Sequence, residues 1–368
     1  MGTEKINVTI IGLGLIGGSL GMALVRSGKY RVTGVDRDGE IVKEAVQKEA
    51  IQIGATEMLE SLTGAEIVVV ATPVSAITDI VRKILNLKKD PLIITDVGSV
   101  KSGVIREITP LLHPGQYFIG GHPMTGSERQ GIAAADPFLF QNAVYCLTPA
   151  APTPSSIRNT VQDMMEATGA HVWELSPEVH DYVVGAVSHL PHLTAVALVN
   201  AVAGLDQKSP GLLNLAAGGF RDTTRVASGD PELWRDIFMA NRIQVCRVLE
   251  AYLSEIRDLQ DILEKADALR LVEKLACARR VREQIPQRSK GFLAPLAEIV
   301  VVVEDRPGAI HEVLTWLAQA SINIKDIEIL RVREGEGGTL RLALENEQAM
   351  EQATKVLREK GFVVYQRK

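Results

Sequence analysis

The sequence predicts a three-part protein: a doubly wound α/β sheet, then an all-α layer, then a small βαββαβ unit. Three observations carry this prediction. Short β-branched runs alternate with amphipathic stretches over residues 1–175, helical periodicity replaces them over 176–285, and strand-like runs return from 297 to 368. At 368 residues the chain is too long for one ordinary core, so several domains are expected, with 286–296 as a linker.

Composition narrows the class of protein. The hydrophobic share of 46% fits a globular protein, and the net charge of -5 argues against a nucleic-acid partner. The three cysteines, Cys146, Cys246 and Cys277, have no ligand-like spacing, so we expect reduced thiols, no metal site and a cytoplasmic location. No signal peptide or membrane segment is expected, because glycines interrupt the first apolar run.

Near-continuous apolar runs in the first part indicate strands buried on both faces, hence a parallel sheet covered by helices. The predicted strands are Asn7–Ile11, Arg31–Val35, Ile67–Ala71, Leu92–Asp96, Tyr117–Ile119, Ala143–Leu147 and His171–Leu175.

A glycine-rich turn follows the first of these strands and opens a helix. Its residues are Gly12, Leu13, Gly14, Leu15, Ile16 and Gly17. In this context a GxGxxG pattern predicts a Rossmann-like dinucleotide site, since the helix N-terminus offers free N–H groups to a pyrophosphate. Asp36 ends the second strand, where a carboxylate accepts ribose hydroxyls and disfavours NADP, although Arg37 weakens that preference. NAD is the expected cofactor, and Thr72 and Pro73 are either further contacts or an ordinary loop.

The run Gly120–Glu128 places His122 between glycines and proline, directly after the predicted strand Tyr117–Ile119. Glycines let a backbone approach a ligand, and an imidazole exchanges protons near neutral pH. The loop therefore indicates a redox enzyme with a proton-transfer residue.

Residues 176–285 show the helical spacing of long amphipathic helices, as in Val245, Leu249, Leu253 and Ile256. Apolar stripes of this length favour burial against a second copy, so a homodimer is expected.

Taken together, these motifs resemble the prephenate/arogenate dehydrogenase family of tyrosine biosynthesis over residues 6–285. The resemblance rests on Gly12–Gly17, Ser99-Val100-Lys101, Gly121-His122-Pro123-Met124, Ser188-His189-Leu190-Pro191-His192 and Phe220–Arg225. It implies NAD-dependent oxidative decarboxylation of prephenate to 4-hydroxyphenylpyruvate, with arogenate as the alternative substrate.

The resemblance also implies roles for single residues. His122 would accept the proton of the substrate 4-hydroxyl, and Ser99 would orient either His122 or that hydroxyl. Arg225 would bind a substrate carboxylate with its planar guanidinium. The alternatives are a helix N-cap for Ser99, an ion pair with Asp181 or Asp222 for Arg225, and a solvated side chain for Lys101.

Further substrate contacts follow from the same resemblance. His192 would face the pocket beside Ser188, and His189, rotated about 60° from it on a helix, would be either packed or functional. Pro191 should kink this helix. Gly218 and Trp234 would come from the partner subunit, and Glu128 would be a gate or a solvated carboxylate.

The C-terminal unit resembles an ACT domain, a module that commonly senses amino acids. Asp305 and Gly308 lie in the turn before its first helix, and Asn323 opens the next strand. The resemblance implies feedback by L-tyrosine at this site, with an interaction module lacking a ligand as the alternative.

Two other readings remain open for the whole chain. One is another NAD(P) dehydrogenase acting on 3-hydroxy acids, which would not need His122. The other is an amino-acid sensor that uses NAD only as a redox signal.

Overall fold

The computed structural model of the chain describes residues 5–125, 129–150, 152–207, 211–284, 297–304, 306–330 and 338–367. The chain divides into two compact units, Met1–Gly291 and Phe292–Lys368. The sheet and the helical layer both belong to the first unit. The expected linker at 286–296 lies outside the described residues.

An eight-stranded sheet forms the centre of the first unit. Its strands are β1 (Ile6–Ile11), β2 (Tyr30–Val35), β3 (Ile53–Ala55), β4 (Ile67–Val70), β5 (Leu92–Asp96), β6 (Gln116–Pro123), β7 (Val144–Pro149) and β8 (His171–Glu174). They lie in the order β3-β2-β1-β4-β5-β6-β7-β8, and every neighbouring pair is parallel except β6 and β7. The doubly wound fold class is confirmed, and the strand order reverses between β1 and β4, where ligands of such sheets bind.

Helices cover both faces of this sheet and bury most of its central strands. They are α1 (Leu15–Ser27), α2 (Gly39–Gln47), α3 (Met58–Ser61), α4 (Val74–Leu87), α5 (Ser102–Ile108) and α6 (Ser155–Glu166). All four residues of β4 are buried, as the continuous apolar run predicted.

Two strands differ from the sequence prediction. The three-residue β3 was missed, because it lies at the edge of the sheet with Ile53 exposed and carries no apolar pattern. The predicted strand at 117–119 extends to Pro123, because its end pairs antiparallel with β7 and places His122 opposite Cys146. His122 therefore lies within a strand. The glycines before it suggested a loop, since glycine is disfavoured in strand interiors.

The helical layer of the first unit follows β8. Its helices are α7 (Pro177–Val184), α8 (Leu190–Asp206), α9 (Gly218–Thr224), α10 (Pro231–Ala240), α11 (Arg242–Glu264) and α12 (Ala268–Gln284). A π-helical segment, Gly185–His189, joins α7 to α8. Pro191, where a kink was predicted, lies in the first turn of α8, two residues after the end of the π-helical segment. The stretch Pro177–Asp206 also has the length and hydropathy of a membrane-spanning helix, a property shared by core helices of other proteins.

Many apolar side chains of this layer are exposed in the single chain. Ile243 of α11 is 70% exposed and Leu269 of α12 is 81% exposed. Exposed apolar surface on this scale fits the expectation of a partner.

The second unit has the order β9 (Ala297–Val303), α13 (Ala309–Gln319), β10 (Ile324–Leu330), β11 (Gly338–Leu344), α14 (Glu347–Glu359) and β12 (Val363–Arg367). The four strands form an antiparallel sheet in the order β10-β11-β9-β12. The predicted βαββαβ unit is confirmed.

Candidate active site

The glycine-rich turn between β1 and α1 contains three glycines, and the space around each of them explains why a glycine is needed there. Gly12 has a φ of 95°, and a Cβ there would lie 2.5 Å from the carbonyl oxygen of Ala71. A Cβ on Gly17 would lie 2.0 Å from the carbonyl oxygen of Gly12, so helix and turn touch. A Cβ on Gly14 would meet no atom within 4 Å. The first and third glycines let the fold close, and Gly14 leaves open space at the start of α1.

The surroundings of this turn fit a dinucleotide. Asp36 directly follows β2, and its Oδ2 accepts the Leu13 amide at 3.0 Å while its Oδ1 accepts the Asp38 amide at 3.1 Å. Each oxygen keeps accepting capacity for a ribose hydroxyl. Arg37 is exposed, whereas Leu15 and Ile16, in the first turn of α1, are half-buried.

The next loop along the sheet begins α4. Thr72 has a buried hydroxyl with no hydrogen-bond partner among the described residues, and Pro73 is exposed and precedes the first residue of α4. An unpartnered buried hydroxyl at the carboxyl end of β4 is consistent with a contact to a bound cofactor.

A chain of hydrogen bonds holds the candidate base at the end of β6. The Nδ1 of His122 lies 2.9 Å from the Nε2 of His180, and the Nδ1 of His180 lies 2.9 Å from Oδ1 of Asp181. The two imidazoles meet edge to face, with ring centroids 5.1 Å apart. No described residue hydrogen-bonds the Nε2 of His122. That nitrogen is therefore the one available to a substrate.

Asp181 at the far end of this chain is anchored to the start of α5. Its carboxylate accepts the backbone amides of Lys101 and Ser102, both at 2.8 Å. Burial alone would raise the pKa of Asp181, but the hydrogen bonds from His180, Lys101 and Ser102 lower it below 3.8. Asp181 is consequently an anion at neutral pH.

Lys101 corrects an interpretation made from the sequence. A solvated side chain was one reading, but Lys101 is fully buried, with its ammonium paired to Asp96 and donating to the Gly121 carbonyl at 2.8 Å. Asp96 also accepts the amides of Gly98 at 2.9 Å and Gly121 at 3.0 Å. Burial lowers the pKa of Lys101, while its ion pair with Asp96 opposes that shift. This pair ties the end of β5 to the strand that carries His122.

We name this set of five residues, Asp96, Lys101, His122, His180 and Asp181, the His122 corner. Burial lowers the pKa of His122 well below 6.5, and the nearby charges of His180 and Lys101 add to the shift. The imidazole is therefore neutral at neutral pH, which is the state a proton acceptor needs.

His189 and His192 lie together against Trp234. The His192 ring stacks on the indole, with centroids 3.6 Å apart at 17°, and His189 meets the same indole edge-on at 6.1 Å. Burial lowers the pKa of His189 to about 4 and also lowers that of His192. The sequence left His189 either packed or functional, and the structure buries its ring beside that of His192. The π-helical segment ending at His189 changes the helical phase, so both rings face inward.

Trp234 of α10 stacks on His192 of the same chain, whereas the resemblance implied that the partner subunit would supply this residue. Gly229 makes room for it, because a Cβ there would lie 2.6 Å from the indole Nε1 and 3.1 Å from the His192 ring. Asn241 then fixes His189, donating to its Nδ1 at 3.1 Å and to the Asp181 carbonyl at 2.8 Å. Sequence reasoning missed Gly229 and Asn241. The only signal was the serine, aspartate and proline around Gly229, since these residue types mark a turn.

The remaining predicted residues are less closely placed. Ser99 is half-buried in the loop between β5 and α5, no hydrogen bond joins it to another described residue, and α5 is capped at Lys101, so the N-cap alternative is wrong. Ser188 is half-buried within the π-helical segment. Gly218 is the exposed first residue of α9, and Arg225 is exposed at the end of that helix.

Two of the alternatives for these residues can be examined further. The Asp181 carboxylate accepts hydrogen bonds from the start of α5 and from His180. This acid therefore binds groups other than Arg225. Glu128 lies outside the described residues.

The proposed effector residues lie in the second unit. Gly308 has a φ of 91° and caps the start of α13, and Asn323 is exposed just before β10. Asp305 lies outside the described residues.

A glycine-rich dinucleotide turn beside a strand-borne neutral imidazole defines the class of nicotinamide-dependent dehydrogenases. Comparison with known families agrees. The family described as prephenate dehydrogenase, nucleotide-binding domain, matches residues 20–174, its dimerization domain matches 176–277, and an ACT domain matches 297–362.

Individual relatives give the same result. Prephenate dehydrogenase of Bacillus subtilis is 35% identical over 350 residues, covering 94% of both chains. The crystal structure of the Aquifex aeolicus enzyme with hydroxyphenyl propionate and NAD+ has a TM-score of 0.73 and 32% identity, covering 78% of this chain and all of that one. A Synechocystis arogenate dehydrogenase has a TM-score of 0.68 and 31% identity, over 76% of this chain and 100% of its own. The chain belongs to the prephenate dehydrogenase family, and the reading as an unrelated 3-hydroxy-acid dehydrogenase is wrong.

Proposed function

We propose that the chain catalyses NAD-dependent oxidative decarboxylation of prephenate to 4-hydroxyphenylpyruvate. The observation that carries the proposal is the neutral His122, held through its Nδ1 at the carboxyl end of β6 with its Nε2 left open. The family membership of the chain supplies the substrate class.

The chemistry assigns one task to each group. His122 Nε2 takes the proton of the 4-hydroxyl as the C4–H bond breaks, and a nicotinamide held at the glycine-rich turn would accept the hydride. CO2 then leaves from C1, the electron pair of the broken bond enters the ring, and the resulting phenolate takes back the proton held at His122 to become the phenol. Arg225 and His192 would hold the substrate carboxylates, since a guanidinium fork and a buried imidazole are both donors to oxygen.

Residues of the chain bind the cofactor in this proposal. The turn around the pyrophosphate is shaped by Gly12, Gly14 and Gly17. The Asp36 carboxylate accepts hydrogen bonds from the ribose hydroxyls. Open space above Gly14 and the unpartnered hydroxyl of Thr72 both support this assignment.

The test is NADH formation by the purified full chain with prephenate and with arogenate, each with NAD and NADP. We expect turnover of prephenate with NAD, and background rates with both substrates would overturn the proposal. A preference for arogenate would replace the substrate and keep the reaction.

A His122→Asn variant tests the proton acceptor. We expect kcat to fall by about 1,000-fold with NAD affinity unchanged, because only the transition state uses the imidazole. The exposed His171 provides a matched control, and His171→Asn should behave as wild type.

We propose further that L-tyrosine binds the second unit and inhibits the first. The supporting observation is the left-handed Gly308 at the N-terminus of α13, where free amide groups suit a carboxylate. Thermal shift with tyrosine, phenylalanine and tryptophan tests it, and a shift with none of them would leave the unit as an interaction module. A homodimer through the exposed faces of α7–α12 and a cytoplasmic location complete the proposal. Sedimentation of the full chain tests the dimer.

A further inference from the structure

We infer that His180 and Asp181 form a positioning relay that fixes the tautomer of His122 and shares the proton that His122 accepts. The inference deepens the proposed function, because it rests on His122 being the proton acceptor there.

The relay starts at Asp181, whose charge state determines the direction of every hydrogen bond that follows. An ionised carboxylate only accepts hydrogen bonds. Both of its oxygens already receive backbone amides from α5, at 2.8 Å each. The Nδ1 of His180, 2.9 Å from Oδ1, must therefore carry a hydrogen and donate it.

The direction then passes to His122. A neutral imidazole has one N–H and one lone pair, so His180 with Nδ1–H presents a lone pair at Nε2. The His122 Nδ1, 2.9 Å away, must donate to it. This leaves the lone pair of His122 on Nε2, the nitrogen without a partner among the described residues. The opposite tautomer would set a lone pair of His180 against the carboxylate of Asp181.

The same chain gives the accepted proton a second place to reside. When Nε2 of His122 takes the hydroxyl proton, the Nδ1 proton can move to Nε2 of His180. One N–H bond breaks on His122 and one forms on His180, leaving His122 neutral and His180 cationic. The Asp181 carboxylate lies directly against that cation.

The charges around His122 favour this transfer. The Lys101 ammonium and the neighbouring imidazoles His180 and His189 all oppose a positive charge on His122. His180 instead contacts Asp181, an anion that stabilises a cationic ring. His180 is fully buried and His122 is half-buried. Screening of these charges by solvent is therefore weak.

Two substitutions separate the two parts of the relay. His180→Gln keeps an amide oxygen that can accept from His122 Nδ1, but it cannot take a proton. His180→Phe removes both nitrogens and keeps a planar ring. The matched control is His171→Phe, a ring exchange on the exposed strand β8.

The first measurement is the tautomer of His122 by nitrogen NMR of the full-length protein. We expect Nδ1–H in wild type and in His180→Gln, and a mixture in His180→Phe. A wild-type His122 protonated on Nε2 would overturn the inference, even if the phenylalanine variant failed to fold.

The second measurement is kcat and KM with prephenate and NAD. We expect kcat to fall about 100-fold in His180→Phe and about tenfold in His180→Gln, with KM changed less than about twofold in both. A kcat within about twofold of wild type in His180→Phe would overturn the relay.

These results distinguish the relay from the reaction it serves. Absence of turnover in wild type, or full turnover in His122→Asn, would contradict the proposed function, while the NMR tautomer would still test the relay. If His122→Asn loses activity while His180→Phe keeps the wild-type activity, the relay is contradicted and the proposed function is not.

Discussion

The glycine-rich turn and the His122 corner lie at the same edge of the sheet but are built in opposite ways. The turn is held by backbone geometry, in which missing side chains let β1, α1 and the neighbouring strand touch. The corner is held by charged and polar side chains buried against one another. The turn therefore depends on the lack of side chains at its glycines, and the His122 corner depends on buried charged and polar side chains.

The difference decides what the sequence can reveal. Gly12, Gly14 and Gly17 fall within six consecutive residues, so their spacing is visible in the chain. The partners in the corner are distant, with 58 residues between His122 and His180 and 80 between Lys101 and Asp181. Local patterns predict the first kind of site and cannot predict the second.

The largest expected effect is on the corner. Lys101→Met should cost about 4 kcal/mol of unfolding free energy, because it leaves the Asp96 carboxylate buried without its cation. Urea unfolding measures the loss, and Lys83→Met, on the exposed face of α4, should leave stability unchanged. A loss below about 1 kcal/mol would mean that the amides around Asp96 suffice and that the ion pair is not what holds this corner.

The second-largest expected effect is a fall in the free energy of unfolding at acid pH, caused by the buried histidines. His189 has a folded pKa of about 4 against 6.5 when exposed, so the unfolded chain binds more protons between these values. Its contribution is complete above 6.5 and is lost as the pH falls toward 4, and it amounts to about 3 kcal/mol. His122 and His192 add in the same direction.

Chemical unfolding across this pH range measures the slope. His189→Leu should flatten it, while His171→Leu should keep it, since His171 is exposed. A stability that does not change over the window would show that these imidazoles bind protons equally in the folded and unfolded chains.

A smaller effect tests the turn itself. Gly17→Ala should cost about 2 kcal/mol, because its Cβ would overlap the Gly12 carbonyl oxygen. Gly14→Ala should leave stability unchanged, since its Cβ meets open space, and should weaken NAD binding instead. Equal losses of stability in the two variants would remove the distinction between closing glycines and the ligand-facing one.

The smallest effect concerns cofactor choice. Asp36→Asn keeps an acceptor for the Leu13 amide but removes the charge. We expect NAD to bind about tenfold more weakly and the discrimination against NADP to shrink. Asp38→Asn is the matched control, because asparagine caps α2 as well as aspartate does. Titration calorimetry with both nucleotides decides the outcome.

Much of the fold was predictable and part of the site was not. The strands of the sheet and the βαββαβ unit follow from apolar periodicity, whereas β3 escaped because an exposed edge strand has no such pattern. His122 was expected in a loop but lies in a strand, since antiparallel pairing with β7 depends on residues more than 20 positions away. The burial of His189 beside His192 could not be predicted, because a π-helical segment breaks the period on which helical wheels depend.

The stacking of Trp234 on His192 has an optical consequence. The chain has three tryptophans, and they are distributed over different places: Trp173 on β8, Trp234 in the candidate site and Trp316 on α13, under the Lys360 ammonium at 4.0 Å. Emission from Trp234 should respond to events around His192, and emission from Trp316 to events in the C-terminal unit. A Trp234→Phe variant subtracts the first signal, so fluorescence of the intact chain can follow nucleotide or substrate binding and effector binding as separate events.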